Sequence, residues 1–199
     1  RRGALRLRQH DLLASIPAQR EARLAELTAK DAKELSYDER LELAVIRRAQ
    51  SNRASAIEAL QSALGDDPAE GASSRSLARG MLIDLLFAEE RYADAERHVL
   101  RQVESLARDV RAGVLDGIHL EGPWLSPLRC GAHQPSLMRD PEPAEIDAVL
   151  RAGDGTIRMV TIAPERTGAV AAIEQLASSG AVAAIGHTEA TYEQTRAAI

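Results

Sequence analysis

The second half of the chain alternates three times between a short apolar run and a longer amphipathic segment. The apolar runs are residues 114–120, 156–163 and 181–185, and a helical pattern follows each of them. Strands that alternate with helices of about 10–15 residues are typical of parallel βαβ units. The sequence therefore predicts an α/β fold with a parallel sheet. It leaves open whether that sheet is doubly wound or part of a (β/α)8 barrel.

A change in composition near Gly113 divides the chain into two segments. Residues 1–112 contain 19 basic and 19 acidic side chains, four Gly and two Pro. Residues 113–199 contain 6 basic and 11 acidic side chains, nine Gly and six Pro, so they hold the whole net charge of −5. We therefore predict two domains: a helical segment of unknown role over residues 1–112, and the βα units over residues 113–199.

The first segment has the pattern of helices throughout. Apolar residues recur at helical spacing through most of residues 17–110. Ser36 and Glu39 have the spacing of a capping box, which predicts that a helix begins at Tyr37. Gly, Pro and acidic residues cluster over residues 65–74 and predict an exposed loop. We find no motif with a chemical role in this segment, so it does not indicate a function.

Composition excludes several classes of partner. Aromatic residues make up 3% of the chain, so stacking surfaces for a nucleic acid are nearly absent, and the pI of about 5.6 disfavours binding to a phosphate backbone. No run approaches the roughly 20 apolar residues of a membrane span. A single cysteine, Cys130, excludes an intrachain disulfide and predicts a cytoplasmic protein. We expect a small-molecule partner, and a homo-oligomer is left open.

Polar residues mark the carboxyl ends of the three predicted strands. Glu121, Glu165 and His187 each lie at or just after such an end, which is where parallel α/β folds build their sites. The dinucleotide fingerprint, the phosphate-binding loop and the serine-hydrolase elbow are all absent from the sequence. A carboxylate and a neutral imidazole are ligands that a borderline divalent cation accepts. The residues alone therefore leave a metal site as one hypothesis, whereas solvated or structurally paired side chains are the favoured interpretation of a single Glu and a single His.

Four short strings resemble motifs of the N-acetylglucosamine-6-phosphate deacetylases. Residues 118–127 (IHLEGPWLSP) are similar to the first metal-ligand motif of that family, and residues 131–133 (GAH) to its substrate-loop motif. Residues 161–165 (TIAPE) and 186–192 (GHTEATY) are similar to its next two strand-end motifs, in the same order and at similar spacing. The resemblance extends over about residues 103–199.

The resemblance implies a partial (β/α)8-type barrel of three βα units. The all-helical segment that precedes it is predicted from the sequence pattern and is not part of the resemblance. It implies hydrolysis of N-acetylglucosamine 6-phosphate to glucosamine 6-phosphate and acetate. Glu121 and His187 would bind a divalent metal ion, for which we expect Zn²⁺. Ala132 and His133 would contact the substrate, and the catalytic role of His133 would be to stabilise the oxyanion as activated water attacks the acetamide.

Two functional residues of the family have no counterpart in these 199 residues. They are a further metal-binding histidine and the aspartate that serves as general acid and base. The family's phosphate-binding residues and the His-x-His motif of its binuclear members are also missing, so the resemblance predicts an incomplete site. The alternative hypothesis is a non-catalytic helical interaction protein, or a fusion or fragment, that retains deacetylase-like sequence as a scaffold.

Four further residues near these motifs are expected to have structural roles. We predict that His119 is buried and hydrogen-bonded and that Glu165 is a structural residue at a strand end. Trp124 is predicted to be a packing anchor, and Cys130 an inert neighbour of the substrate loop.

Overall fold

The computed structural model of the chain describes residues 17–65 and 72–199. The loop predicted over residues 65–74 falls largely outside these ranges. The chain divides between Gln102 and Val103 into two compact units, whereas the change in composition lies about ten residues further along. Within the described part of the chain, no helix combines the length and the apolarity needed to cross a bilayer.

The described elements of the first unit are all helices, and the last of them continues past the division into the second unit. They are α1 (Pro17–Thr28), α2 (Tyr37–Ala49), α3 (Arg53–Leu64), α4 (Ala72–Ala88) and α5 (Tyr92–Arg111).

Helix α2 begins at Tyr37, as the capping-box spacing predicted. The Ser36 hydroxyl accepts a hydrogen bond from the Glu39 amide at 3.3 Å, and the Glu39 carboxylate accepts one from the Ser36 amide at 2.9 Å. Each of these two amides would otherwise lack a partner in the first turn. The apolar side of the helices forms the core of the unit, which includes Leu60, Leu82 and Leu86 with no exposed surface.

The second unit is a parallel three-stranded sheet with helices between its strands, which confirms the predicted α/β class. The strands are in the order β1-β2-β3, and both pairs are parallel. The elements are β1 (Ile118–Glu121), α6 (Pro143–Gly153), β2 (Ile157–Ile162), α7 (Ala169–Ser178), β3 (Val182–Ile185) and α8 (Tyr192–Ala197), with a 3-10 turn at Pro135–Leu137.

The predicted start of the first strand is wrong. β1 begins at Ile118, and Val114 is 71% exposed. Gly113 has a φ of +72°, and the Val114 amide donates to the Asp109 carbonyl at 2.9 Å. These are features of a Schellman motif, in which a glycine in the left-handed region ends a helix. The first residues of the apolar run therefore end α5, and the strand begins only after them.

The two faces of the sheet have different surroundings. Ile118 and Val160 belong to the core of the unit, together with Ile146 on α6 and Leu176 on α7. Side chains alternate between the faces of a strand, so Glu121 lies on the face opposite to this core. Because all three strands are parallel, their carboxyl ends meet at one edge of the sheet, where the candidate site lies.

Candidate active site

Glu121 is at the centre of the site. It is the last residue of β1, and its two carboxylate oxygens contact two different histidines. Its Oε1 lies 2.8 Å from His187 Nε2, and its Oε2 lies 3.4 Å from His133 Nε2. The structure thus brings together three of the four residues that the resemblance selected, although they are far apart in the sequence.

His187 follows the end of β3 and has a φ of +51°, which is uncommon for a residue with a side chain. Its Nδ1 lies 2.8 Å from the Arg129 carbonyl oxygen. A carbonyl only accepts hydrogen bonds, so Nδ1 carries the proton of this bond. In the neutral ring, Nε2 is then an acceptor that faces a carboxylate oxygen. The short contact with Glu121 therefore requires a proton shared between the two groups or a cation between them.

His133 and Ala132 lie in the loop between β1 and α6. The His133 ring meets the His187 ring edge to face, with 5.9 Å between the ring centroids and 79° between the planes. Ala132 is exposed beside it. Gly131 precedes them with a φ of +65°, and a Cβ on it would lie 3.4 Å from His187 Cε1. The loop therefore approaches the His187 ring closely through a residue that has no side chain.

Hydrogen bonds shift the ionisation of two site residues. The pKa of Glu121 is lowered, first by the hydrogen bond from His187 and then by that from His133. The pKa of His187 is raised, first by its hydrogen bond to the Arg129 carbonyl and then by Glu121. The Glu121 side chain is 48% exposed, so solvent screens these charges. The pair nevertheless favours a carboxylate beside an imidazolium.

The structure confirms that Trp124 is a packing anchor and that Cys130 neighbours the substrate loop. Trp124 is 1% exposed, and its indole N–H donates to the Glu145 carboxylate at 3.0 Å. Cys130 is buried within hydrogen-bond distance of the His133 carbonyl. The prediction that His119 is buried is wrong, although its Nε2 does contact the Thr161 hydroxyl at 2.8 Å. His119 is exposed because it lies on the sheet face that α6 and α7 do not cover.

Glu165 has a role that its position at a strand end only partly indicated. Its carboxylate accepts hydrogen bonds from the Thr188 hydroxyl and the Glu189 amide, which directly follow His187. The sequence shows Glu165 and the loop as separate strand-end features. The one sequence signal for the contact between Glu165 and this loop is the prediction that their strands are parallel neighbours.

The donor atoms of the site suit a divalent metal ion, but the set is incomplete. Glu121 offers carboxylate oxygens, and the Nδ1 hydrogen bond of His187 directs Nε2 toward them, as in metal-binding histidines generally. Protein zinc sites use three or four ligands from the chain. Over residues 17–65 and 72–199, no group of three or more His, Cys, Asp or Glu side chains is arranged to hold a metal.

Comparison with known proteins shows that part of this chain is similar to deacetylases, although no family model matches the chain. An N-acetylgalactosamine-6-phosphate deacetylase of Escherichia coli O157:H7 is 44% identical over 82 residues, which are 41% of this chain and 22% of that protein. An N-acetylglucosamine-6-phosphate deacetylase of Lysinibacillus sphaericus is 35% identical over 83 residues, 42% of this chain and 21% of that protein. The chain thus spans about a fifth of the length of these relatives.

A solved structure gives a stronger match. The N-acetyl-D-glucosamine-6-phosphate deacetylase of Mycobacterium smegmatis is 74% identical, with a TM-score of 0.51, over 52% of this chain and 27% of that one. A mutant of the same enzyme has been solved in complex with N-acetyl-D-glucosamine-6-phosphate. About half of this chain is therefore related in sequence and structure to the N-acetylglucosamine-6-phosphate deacetylases, as its four motifs predicted.

Proposed function

We propose that the second unit forms part of a metal-dependent deacetylase site that hydrolyses the acetamide of N-acetylglucosamine 6-phosphate. The observation that carries this proposal is the convergence of His133 and His187 on the Glu121 carboxylate at the edge of the sheet. The similarity of this part of the chain to deacetylases gives that cluster its chemical interpretation.

Each residue of the cluster has a distinct proposed role. Glu121 and His187 hold the metal ion through a carboxylate oxygen and Nε2. His133 stands beside them, and its Nε2–H would donate to the oxygen of the acetamide carbonyl as negative charge develops there. Ala132 lies on the exposed side of the same loop, where it would contact the substrate.

The reaction is an ordinary amide hydrolysis. The oxygen of water adds to the acetamide carbonyl carbon, the C–N bond breaks, and both protons of water end on the leaving amine nitrogen, giving glucosamine 6-phosphate in its ammonium form and acetate. A divalent ion such as Zn²⁺, when bound, would supply a Lewis acid and lower the pKa of water. The chain's own contribution is to orient His187 through Arg129 and to place a donor, His133, beside the reacting carbonyl.

The glucosamine series is favoured over the galactosamine series as the substrate class. Identity is 74% with the deacetylase of N-acetylglucosamine 6-phosphate from M. smegmatis and 44% with the N-acetylgalactosamine-6-phosphate deacetylase of E. coli. Specificity can be measured directly as the ratio of kcat/KM for the two epimers.

We further propose that the three βα units belong to a (β/α)8-type barrel with its site at the carboxyl ends of the strands. The strand order β1-β2-β3 and the helix between each pair support this interpretation. The free thiol of Cys130 suits a reducing compartment, so we place the reaction in the cytoplasm.

Zinc binding and acetate release test the proposed function. The purified chain is expected to bind Zn²⁺ in calorimetry, and Glu121→Ala is expected to abolish that binding. Glu174→Ala, which removes an exposed carboxylate from α7, is the matched control and should bind as the wild type does. Acetate release from N-acetylglucosamine 6-phosphate, measured with Zn²⁺ and with chelator, then reports catalysis. Equal zinc binding by the wild type and Glu121→Ala would contradict the proposed ligand role.

The alternative, a non-catalytic protein that keeps this sequence as a scaffold, has one observation in its favour. Only two of the expected metal ligands are present together in the described structure. On that hypothesis, Glu121→Ala leaves the zinc binding of the folded chain unchanged. The same variant therefore separates the two hypotheses.

A further inference from the structure

We propose that Glu165 is a positioning residue that holds the loop bearing His187 in place, so that Nε2 of His187 faces Glu121. This inference deepens the proposed function and rests on it for the role of His187. Glu165 accepts hydrogen bonds from Thr188 and Glu189. It acts through the two residues that follow His187 in the chain.

The contacts of Glu165 join the end of one strand to the loop after the next. Glu165 lies three residues after β2, and His187 lies two residues after β3, the neighbouring parallel strand. One carboxylate oxygen accepts from the Thr188 hydroxyl, and the other accepts from the Glu189 amide at 2.8 Å. Hydrogen bonds to a carboxylate are stronger than those between neutral groups. Both oxygens of one side chain therefore hold the loop.

The backbone of His187 needs such support. A φ of +51° costs free energy for a residue with a Cβ, and it persists only where the surroundings determine it. The loop is also tied to Ser126, whose amide donates to the His187 carbonyl at 2.9 Å and whose hydroxyl donates to Glu189 at 3.1 Å. Ser126 and Glu165 thus both hold the loop, from the ends of two different strands.

The Ser126 amide provides a reporter for this role, because it reads the position of His187 without touching Glu165. In the metal-free protein, the Ser126 amide of Glu165→Ala is expected to exchange hydrogen at least tenfold faster than that of the wild type. The Ala163 amide, which donates to the Trp124 carbonyl at 2.9 Å, reports the rest of the unit and should keep its wild-type rate. Glu174→Ala should change neither rate.

Two results would overturn the proposal. One is an unchanged Ser126 rate in Glu165→Ala, and the other is equal acceleration of both amides, which would make Glu165 a general structural residue. Should Glu165→Ala fail to fold, Glu165→Gln decides the question, because it keeps one carbonyl acceptor. That variant should give a Ser126 rate between those of the wild type and an unprotected amide, and a wild-type Ser126 rate would overturn the proposal.

Zinc affinity measures how much Glu165 contributes to metal binding by the site. Loss of a residue that orients a metal ligand typically weakens metal binding about 10- to 100-fold, so we expect Glu165→Ala to bind Zn²⁺ at least about tenfold more weakly than the wild type. If the wild type binds no zinc, the proposed function fails, whereas the exchange rates still decide the role of Glu165.

Discussion

Glu121 and His187 are 66 positions apart in the sequence and lie at the ends of strands that do not pair, yet their side chains meet at 2.8 Å. β2 lies between their strands, and neighbouring strands are about 4.8 Å apart, so β1 and β3 are separated by about 9.6 Å. The length of the Glu121 side chain and the loop after β3 bring the two groups together beyond the carboxyl end of β2. The geometry of the pair therefore depends on the loop as much as on the sheet.

The first prediction concerns the ionisation of this pair. Replacing the carboxylate in Glu121→Gln removes one of the two interactions that raise the pKa of His187. We expect His187 to titrate at a lower pH in this variant than in the wild type, measured by NMR on its ring protons with chelator present. The hydrogen bond to Arg129 remains in the variant, so the pKa should fall without a change in the Nδ1 partner. An unchanged pKa would mean that the pair does not form in solution.

The same pair predicts how stability changes with pH. The pKa of His187 is above its ordinary value of 6.5, so its contribution is complete below that pH and is lost as the pH rises through the folded-state pKa. The pKa of Glu121 is below 4.5, so its contribution is present above that pH and is lost as the pH falls through the folded-state pKa. The stability difference between the wild type and Glu121→Gln should therefore be largest between about pH 4.5 and 6.5. Urea denaturation of the wild type and Glu121→Gln, carried out in this pH range and above pH 8, measures the difference in their free energies of unfolding.

A second prediction concerns the approach of the substrate loop to His187. Gly131→Ala places a Cβ 3.4 Å from the His187 ring at a φ of +65°. Gly155→Ala is a matched control, because Gly155 has a φ of +74° with no atom within 4 Å of its added Cβ. Each variant should lose about 1–2 kcal/mol of stability from the left-handed backbone. Only Gly131→Ala should also weaken zinc binding, and equal zinc affinities in the two variants would contradict the prediction.

Local sequence signals predicted the element boundaries well and the long-range contacts poorly. The cap at Ser36 and the break after Gly153 follow from residue chemistry within a few positions, so they could be read from the sequence. The start of β1 could not, because Val114 is apolar but donates to the end of the preceding helix. The contact of Glu165 with residues 188 and 189 depends on strand pairing, which no local pattern specifies.

The third prediction tests the capping box of α2. Ser36→Ala removes the hydroxyl that accepts from the Glu39 amide, and such changes cost about 1 kcal/mol. Ser62→Ala is the control, since Ser62 is exposed within α3, where alanine is the better helix former. Urea denaturation followed through the amide signals of α2 measures the free energy of unfolding. This free energy should be lower than in the wild type for Ser36→Ala and should not be lower for Ser62→Ala. Equal stabilities would show that the cap is not formed in solution.

The fourth prediction concerns the anchor of the second unit. Trp124 is buried beside the site, and its indole N–H donates to Glu145. Trp124→Ala should cost about 3–5 kcal/mol, because it leaves a cavity in the core, and Trp124→Phe should cost less, because most of the ring volume is kept. Leu128→Ala, in the same loop but at a residue that is 77% exposed, should stay within about 0.5 kcal/mol of the wild type. Urea denaturation followed through the amide signals of β2 gives these values. A cost for Trp124→Ala no larger than that for Leu128→Ala would mean that the loop bearing the site is not anchored through this ring.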